Sequence, residues 1–338
     1  MRVLVTGATG FVGAWTAAAV AGAGHELRVL VRTPAKLRTT LGAIGIEPDD
    51  VVEGDMTDAD AVARALDGVD GVVHSAAVVS MRRDDAAAMT RTNLRGTELV
   101  VGGAVERGVP RIVAVSSVAA LWNGATDRLT RDSPVGRSAH PYARSKAAVE
   151  AYLRTLQDGG APLATTLPAG VLGPPAGLAA SEALEGVVRA LAKRALPCPH
   201  VRFTSVDVRD LAQVHLALLD PAAPSGRYLV GGHQFRVRDL AADLTAVTGH
   251  RVVAIPLPGG VMRAVGRVLD HTPLHTVLTA EGMVAYTMQR EVDDSAVARE
   301  LGVRWRDRRT TLADGLRGMV AAGLVPAALA GRATEGAA

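Results

Sequence analysis

The first sixteen residues, MRVLVTGATGFVGAWT (1–16), decide the fold. An apolar, β-branched run over 2–6 ends in three glycines, Gly7, Gly10 and Gly13, and an alanine-rich stretch follows. Glycine permits a tight turn and a close approach by another group because it has no Cβ. The free N–H groups and the dipole of a following helix attract an anion. The spacing G-x-x-G-x-x-G therefore predicts a phosphate-binding turn between a strand and a helix.

The rest of the first half repeats this strand–helix order. The pattern predicts strands at 2–6, 26–32, 50–55, 71–76, 111–117 and 163–172, and helices at 11–23, 35–43, 58–67, 85–108 and 141–157. Apolar strands that alternate with helices are typical of a parallel sheet covered on both faces. The predicted fold class is α/β, a Rossmann-type doubly wound sheet. A glycine turn in the first unit of such a sheet predicts a dinucleotide site.

The pattern changes after residue 173, where Pro174 and Pro175 follow one another. We predict a dinucleotide-binding domain over 1–173 and a smaller, mostly helical substrate lobe over 174–330, interleaved with the first. The polar and small residues of 331–338 predict a disordered tail.

Composition excludes several classes of protein. The 338 residues carry 37 basic and 34 acidic side chains, and 3% are aromatic, which argues against a nucleic-acid partner. RWRDRR (304–309), the one basic cluster, is interpreted as solvated surface. Cys198 is the single cysteine, as expected in a reducing cytoplasm. No signal peptide and no apolar run of about 18 residues is found. The expectation is a cytoplasmic protein without a membrane partner.

The end of the second predicted strand indicates which dinucleotide binds. An NAD site usually has a carboxylate there, whereas this chain has Arg32, followed by Lys36 and Arg38. A guanidinium can bind a 2′-phosphate through paired charge-assisted hydrogen bonds. We therefore predict NADP(H), with NAD(H) disfavoured; the alternative is that Arg32 is a solvated strand end.

Two further stretches add chemistry to this fold. Paired serines, Ser116 and Ser117, end the fifth strand, and Tyr142 and Lys146 form a Y-x-x-x-K pattern on one helix face. A free tyrosine has a pKa of about 10, so a nearby positive charge is needed to make it a useful acid or base. Lys146 and an oxidised nicotinamide would supply that charge, while a serine hydroxyl holds the substrate oxygen.

These motifs occur in the order and spacing of a known family. The stretches TGATGFVG, GDMTD (54–58), VVHSAA (72–77), TNLRGT (92–97), VSSVAA, PYARSKAAVE and LPAGVLGPP (167–175) resemble the extended short-chain dehydrogenase/reductase family. The resemblance extends to about residue 303 and is greatest to the dihydroflavonol 4-reductase and 3β-hydroxysteroid dehydrogenase branches.

The resemblance implies a role for each matching position. Asp55 and Met56 would lie by the adenine, Ser75, Ala76 and Ala77 along the ribose and pyrophosphate, and Pro168 to Val171 near the nicotinamide. The turn itself would contribute Gly7, Thr9, Gly10, Phe11, Val12 and Gly13, with Arg32, Lys36 and Lys146 as further cofactor ligands. Ser117 aligns with the catalytic serine, with Ser116 as the alternative. Asn93 matches an asparagine that holds the catalytic helix and its water, although a structural hydrogen bond between helices is also open.

Departures from the family indicate the substrate. Relatives that act on nucleotide sugars carry an arginine and a tyrosine where this chain has Leu167 and Leu172, and the acid pair of sugar dehydratases is replaced within 118–120. We therefore expect an NADP(H)-dependent reductase of a ketone or aldehyde on a hydrophobic small molecule. The alternatives are a nucleotide-sugar epimerase with tightly bound NAD and a non-catalytic NADP-binding redox sensor.

The second lobe offers apolar side chains for such a substrate. They are Met262, Val265, Leu269, Met283 and Tyr286, for which ordinary core packing is the competing interpretation. The two histidines of HTPLH (271–275) flank a proline, so a loop is predicted there and no metal site. The sequence leaves a homodimer open.

Overall fold

The computed structural model describes residues 1–79, 85–123, 128–138, 140–269, 283, 286, 287 and 290–335. Its strands are β1 (Arg2–Thr6), β2 (Glu26–Val31), β3 (Asp50–Glu53), β4 (Gly71–His74), β5 (Arg111–Val115), β6 (Arg128–Leu129), β7 (Leu163–Pro168), β8 (Gly170–Leu172), β9 (Ala195–Pro197), β10 (Arg202–Asp207), β11 (Gly226–Val230), β12 (His233–Arg236), β13 (Val253–Ile255) and β14 (Glu291–Val292).

Helices separate these strands. They are α1 (Phe11–Gly22), α2 (Ala35–Thr39), α3 (Ala59–Leu66), α4 (Ala86–Thr97), α5 (Gly103–Glu106), α6 (Pro141–Asp158), α7 (Glu182–Lys193), α8 (Val208–Leu218), α9 (Val237–Thr248), α10 (Gly259–Leu269), α11 (Ser295–Leu301), α12 (Arg308–Ala321) and α13 (Ala327–Ala330). A π-helical turn (Glu98–Gly102) joins α4 to α5, and short 3₁₀ helices lie at Gly42–Ile44, Val118–Leu121 and Gly331–Thr334. In the described residues, no helix is both long and apolar enough to cross a membrane.

Seven strands form one parallel sheet in the order β11-β7-β5-β4-β1-β2-β3. The predicted Rossmann-type sheet is therefore confirmed. The chain builds outward from β1 in one direction through β2 and β3, and in the other through β4, β5 and β7. Loops that leave β1 and β4 diverge at this switch point, and ligands of such sheets bind at the carboxyl ends of these strands.

Side chains of β1 alternate between the two faces of the sheet. Val3 and Val5 join one apolar cluster with α1 and α8, whereas Leu4 joins a second cluster with α3 and α6. Burial on both faces explains why the strand is a continuous apolar run. The sheet is thus a central layer between two helical layers, and its polar loops are left at the strand ends.

The second half of the chain contributes to both parts of the molecule. Strand β11 pairs with β7 at the edge of the main sheet, and α8 packs on α1, so the two halves interleave. Strands β12, β10 and β8 form a separate small sheet. A separate apolar cluster of α7, α9 and α12 forms a core in the C-terminal half of the chain.

The C-terminal residues differ from the sequence-based expectation. A short helix, Gly331–Thr334, replaces the start of the predicted disordered tail. Ala330 and Ala333 are buried in the apolar cluster of α7, α9 and α12, which holds this segment against the rest of the chain.

Candidate active site

The glycine turn after β1 forms one side of the site. Gly7 has a φ of +78°, and a Cβ there would lie 2.7 Å from the Ala76 nitrogen. A Cβ at Gly13 would lie 2.2 Å from the Gly7 carbonyl oxygen. At Gly10, which is exposed and caps α1, the nearest atom to a Cβ is 3.3 Å away. Packing thus requires Gly7 and Gly13, whereas Gly10 keeps the first turn of α1 open, as a pyrophosphate would need.

The loop after β4 closes against this turn. Ser75 Oγ donates a hydrogen bond of 2.7 Å to the Thr6 carbonyl oxygen, and the Ala76 N–H donates to Thr6 Oγ1 at 3.3 Å. Ala77 is exposed at the same edge, and Thr9, Phe11 and Val12 are half-buried. Ser75, which the resemblance placed on the ribose, therefore uses its hydroxyl to hold the two loops together.

Basic side chains lie at the carboxyl end of β2. The Arg32 side chain is 70% exposed, and its Nε lies 3.6 Å from Asp55 Oδ2. The other carboxylate oxygen of Asp55 accepts hydrogen bonds from the Thr57 N–H at 2.9 Å and the Thr57 hydroxyl at 2.7 Å. Lys36 is exposed on α2. An exposed pair such as Arg32–Asp55 contributes about 1 kcal/mol at most, so Arg32 can exchange it for a phosphate.

Other predicted cofactor residues have packing roles. Met56 is buried against α4, where its sulfur would lie 2.7 Å from a Cβ at Gly96. Pro168 ends β7, and the Val171 carbonyl oxygen in β8 accepts a hydrogen bond of 2.5 Å from Ser181 Oγ. Pro168 and Val171 thus lie at the end of β7 and within β8, and their contact with a cofactor, like that of Met56, stays a prediction.

Helix α6 places Tyr142 and Lys146 over the end of β5. Pro141 occupies the first turn of the helix, where its missing N–H costs no hydrogen bond. Tyr142 is half-buried and Lys146 is 7% exposed. Lys146 Nζ donates to the Val115 carbonyl oxygen at 3.2 Å, so the ammonium is held at the strand end.

Burial changes the pKa of both side chains. It lowers the pKa of Lys146 to about 8, although the Glu150 carboxylate opposes this change. Burial raises the pKa of Tyr142; the Ser117 hydroxyl lowers it, and the Glu182 carboxylate raises it. The sequence predicted a phenol made more acidic by its lysine. In the chain without cofactor, the loss of water around the phenol has the largest effect on the pKa of Tyr142, so this pKa is raised.

The two serines after β5 face different neighbours. Ser117 interacts with the Tyr142 phenol, and its Oγ accepts a hydrogen bond of 3.2 Å from the Ala119 N–H. Ser116 is 3% exposed and lies by Glu150, whose pKa it lowers. The structure thus brings Ser117, and not Ser116, to the tyrosine.

Asn93 connects three parts of the site. Its Oδ1 accepts from the Val78 N–H at 2.7 Å, and its Nδ2 donates to the Val78 carbonyl oxygen at 2.9 Å and to Ser145 Oγ at 3.0 Å. Ser145 precedes Lys146 on α6. The sequence left two roles open for Asn93, and these contacts correspond to the structural one. Asn93 joins α4 to α6 through Ser145, and it also binds the loop after β4 through Val78.

His74 lies beneath the site as a packing residue. Its Nδ1 is 2.8 Å from Thr6 Oγ1 and its Nε2 is 3.3 Å from Thr97 Oγ1. Burial, assisted by the Lys146 charge, lowers its pKa to about 3. The imidazole is therefore neutral and unsuited to act as a base at neutral pH.

The apolar residues predicted to line a substrate pocket have a different arrangement. Met262, Met283 and Tyr286 pack with Cys198 in a small apolar cluster of the C-terminal half, and Val265 is exposed. Burial also raises the pKa of the Cys198 thiol. These three side chains contact one another, as the competing interpretation of core packing predicts, and their contact with a substrate stays a prediction.

Two expectations fall outside the described residues. They are the predicted loop at 271–275 and the position of the Leu269 side chain. Within the described ranges, His, Cys, Asp and Glu side chains form no group that could hold a metal ion.

Sequence reasoning missed two carboxylates. Glu150 is fully buried one turn beyond Lys146, so the i, i+4 spacing along α6 could have revealed it. Glu182 lies 40 residues from Tyr142 in sequence and influences its pKa across the site. No local pattern links these two residues, and the fold alone brings them together.

Comparison with known proteins shows which family and which fold the chain is similar to. The model of the NAD dependent epimerase/dehydratase family matches residues 3–231. A "Sterol demethylase protein B" of Methylococcus capsulatus is 29% identical over 279 residues, covering 80% of this chain and 81% of that protein. A "Putative dihydroflavonol 4-reductase" of Synechocystis is 27% identical over 327 residues, which is 92% of each chain.

A solved structure with the same fold is the Bordetella bronchiseptica enzyme WbmG in complex with NAD and UDP. It has a TM-score of 0.73 and 23% identity, and the match covers 96% of each chain. At this identity the likeness concerns the fold.

Proposed function

The chain belongs to the NAD-dependent epimerase/dehydratase family, and from that premise we propose that it is an NADP(H)-dependent reductase of a ketone or aldehyde on a hydrophobic small molecule. In the reverse direction it would oxidise a secondary alcohol. The observation that carries the proposal is the meeting of Ser117 and Tyr142 above a buried Lys146. The relative named as a putative dihydroflavonol 4-reductase supports an oxidoreductase.

Each side chain has a defined task in this reaction. The Ser117 hydroxyl holds the carbonyl oxygen of the substrate, and the Tyr142 phenol donates a proton to that oxygen as general acid. Because burial raises the pKa of Tyr142, the phenol carries its proton at neutral pH. Lys146, held by the Val115 carbonyl oxygen, places positive charge beside the phenolate that forms. The bound cofactor would supply a hydride to the carbonyl carbon.

The cofactor would lie along the edge formed by the glycine turn and the ends of β2 and β4. Gly10 leaves room for the pyrophosphate, and Arg32 with Lys36 would bind the 2′-phosphate of NADP. The exposed guanidinium supports this preference, since β2 ends without a carboxylate of its own.

An apolar substrate is supported by two positions of the family pattern. Leu167 and Leu172 stand where nucleotide-sugar enzymes have polar side chains, and both are buried in apolar clusters. Their side chains offer no hydrogen bond to a sugar nucleotide.

Net oxidation of NADPH by purified protein tests the proposal. Apolar ketones and aldehydes should be reduced stoichiometrically with the loss of NADPH absorbance. Tightly bound NAD and conversion of a nucleotide sugar without net cofactor use would instead identify an epimerase. Binding of NADPH with no turnover of any carbonyl compound would favour a redox sensor.

A further inference from the structure

Exposed apolar side chains are concentrated in one short part of the C-terminal half. Eleven large hydrophobic side chains are exposed among the described residues, and six of them lie within residues 253–268. They are Val253, Ile255, Leu257, Val261, Val265 and Val268, which we call the aliphatic patch. Single exposed apolar residues are ordinary, whereas a concentrated group indicates an interaction surface.

Helix α10 supplies half of the aliphatic patch. Val261, Val265 and Val268 follow at the i, i+4 and i+7 spacing of one helix face, and Val268 is 67% exposed. A different face of α10 packs inward, since Met262 is buried with Cys198. The inward face attaches α10 to the protein, so the valine face is a second apolar face that is turned to solvent.

Strand β13 and the connection after it supply the other half. This strand pairs with β9 in a two-stranded ribbon, and Val253 and Ile255 lie on the same face of it because strand side chains alternate. Both are exposed, whereas Val252 is buried. Leu257 is exposed as well, and α10 begins at Gly259. The aliphatic patch therefore continues along the chain from β13 into α10.

Three exposed cations lie at the start of the β9–β13 ribbon. Val253 is opposite Ala195 in the ribbon, and its N–H donates a hydrogen bond of 3.0 Å to the Arg194 carbonyl oxygen. The pairing therefore brings Lys193 and Arg194 to the same end as Arg251. All three side chains are exposed, and in the part of the chain that the structure describes none of them forms a hydrogen bond or an ion pair.

Charge of one sign accompanies the aliphatic patch. Residues 193–202 and 251–269, which contain β9, β13 and α10, hold six of the 37 basic side chains and none of the 34 acidic ones. Arg202 lies 3.9 Å from Glu291 of another segment. The rest of the chain has more acidic than basic side chains, so the positive excess of the protein is located in these two segments. A surface that combines exposed aliphatic and basic side chains is complementary to a bilayer with anionic headgroups.

We propose that the aliphatic patch docks on the surface of a bilayer that contains anionic lipid. The valine face of α10 and the exposed face of β13 enter the headgroup boundary, while Lys193, Arg194 and Arg251 contact lipid phosphates. An acidic protein is a poorer match, because protein interfaces depend on aromatic side chains and every exposed apolar side chain of the patch is aliphatic.

This docking is independent of the proposed reductase function. It revises the expectation, based on segments long enough to span a bilayer, that the protein has no membrane partner. A patch that only lies on the bilayer needs no such segment.

Sedimentation with lipid vesicles tests the proposal. The full chain should bind phosphatidylcholine vesicles that contain about one third phosphatidylglycerol about tenfold more tightly than vesicles of phosphatidylcholine alone. This preference should decrease between about 0.1 and about 0.5 M NaCl, because salt screens the headgroup charge. Absence of binding to the anionic vesicles, or equal binding to both kinds, would overturn the proposal.

Matched substitutions locate the contact on the protein. Val268→Asp should weaken binding to the anionic vesicles about tenfold, because it places a charge in the apolar face. Val51→Asp makes the same change at an exposed position on β3 and should bind as the wild type does. Arg251→Glu should also weaken binding about tenfold, whereas Arg107→Glu, at an exposed position before β5, should not.

Thermal unfolding shows whether each variant is folded. Arg251 is exposed, so Arg251→Glu provides the test if Val268→Asp does not fold. Equal losses of vesicle binding in a variant of the patch and in its control would overturn the proposal.

Two measurements without lipid examine the other occupants. Polyglutamate, a soluble polyanion, should bind about tenfold more weakly than the anionic vesicles, because it offers no apolar phase. Sedimentation velocity should give the same mass for the wild type and Val268→Asp. Equal affinity for polyglutamate and vesicles would assign the patch to an acidic partner, and a dimer that Val268→Asp dissociates would assign it to a second copy. Either result would overturn the proposal.

Discussion

Tyr142 is less acidic in the folded chain than a free tyrosine because burial removes water from its phenolate. The Ser117 hydroxyl opposes this change and the Glu182 carboxylate adds to it. A phenol in this environment keeps its proton and can donate it to a developing alkoxide. This protonated form suits the proposed reduction, whereas the reverse oxidation would need the positive charge of the bound oxidised cofactor.

Removing the Tyr142 hydroxyl tests this role. We expect Tyr142→Phe to lower kcat for carbonyl reduction by about 10²–10⁴, since the general acid is lost. NADPH affinity, measured by calorimetry, should stay close to that of the wild type. Tyr152→Phe removes a hydroxyl farther along the same helix and should retain activity. Equal rates for the two variants would exclude Tyr142 as the acid.

Arg32 decides the cofactor preference in our interpretation. Arg32→Asp should raise the ratio of kcat/KM for NADH to that for NADPH at least tenfold, because an acidic side chain repels the 2′-phosphate and can accept hydrogen bonds from a ribose. Arg107→Asp makes the same charge change at an exposed position shortly before the start of β5, whereas Arg32 follows the end of β2. The same ratio in wild type and Arg32→Asp would contradict the assignment.

At the scale of the element, α6 presents one row of interacting side chains. Tyr142, Lys146, Glu150 and Arg154 follow at intervals of four residues, so they lie on one helix face. Arg154 Nε donates to Glu150 Oε1 at 3.0 Å, and the Glu150 charge raises the pKa of Lys146 against the effect of burial. The helix thus carries the proposed acid, its charge partner and the group that keeps that partner charged.

Glu150→Gln should shift the pH dependence of the reaction. Without the Glu150 charge, the pKa of Lys146 should fall below its value of about 8, so activity should decline at a lower pH on the basic side. The pH profile of kcat/KM measures this shift. Glu106→Gln, an exposed substitution on α5, should leave the profile in place. A basic limb that does not move would show that Glu150 has no influence on Lys146.

Two glycines of the first strand–helix unit should differ in how their substitution affects folding and cofactor binding. Gly13→Ala should destabilise the fold because its Cβ would lie 2.2 Å from the Gly7 carbonyl oxygen. Gly10→Ala should destabilise the fold less than Gly13→Ala, since its Cβ would lie 3.3 Å from the Gly7 carbonyl oxygen, a tight contact that a small backbone shift relieves, and it should weaken NADPH binding about tenfold or more by occupying the pyrophosphate position. Thermal unfolding and calorimetry measure the two effects. A stable Gly10→Ala protein with full NADPH affinity would refute the placement of the cofactor.

At the scale of the whole molecule, two buried histidines tie layers together. His74 lies between Thr6 of β1 and Thr97 of α4. His215 of α8 lies between Thr16 of α1 and Thr166 of β7, at 2.8 and 3.1 Å. Burial lowers the pKa of each imidazole to about 3.

This burial predicts a loss of stability in acid. Because the folded pKa of about 3 lies below the unfolded value of about 6.5, the unfolded chain binds more protons below pH 6.5. Stability from the neutral imidazoles is complete above pH 6.5 and is lost as the pH falls toward 3. At pH 4.5 each histidine should reduce the free energy of unfolding by about 3 kcal/mol relative to pH 7.

Urea unfolding at several pH values between 7 and 4.5 measures this loss. His215→Gln should be less stable than wild type at pH 7 but should lose less stability on acidification. His200→Gln changes an exposed histidine and should follow the wild-type curve. The same pH dependence in His215→Gln and wild type would contradict the prediction.

Local patterns were sufficient for the fold and for part of the site. The glycine spacing, the alternation of strands and helices and the i, i+4 pair Tyr142–Lys146 are properties of neighbouring residues, so they can be read from the chain. Strand β1 occupies 2–6 as predicted. The choice between Ser116 and Ser117 could not be made this way, since both follow β5 and only packing decides which hydroxyl meets the phenol.

The sequence by itself determined the parallel sheet, the glycine turn and the helix that carries Tyr142 and Lys146, because each depends on short-range periodicity and backbone sterics. Only the tertiary structure decided which distant charges meet. It paired Arg308 and Arg309 of the predicted solvated cluster with the buried Asp243, and it brought the charge of Glu182 near enough to add to the raised pKa of Tyr142. Burial and long-range electrostatics depend on how the sheet and the helices pack around an ionisable side chain, and no local sequence pattern determines this packing.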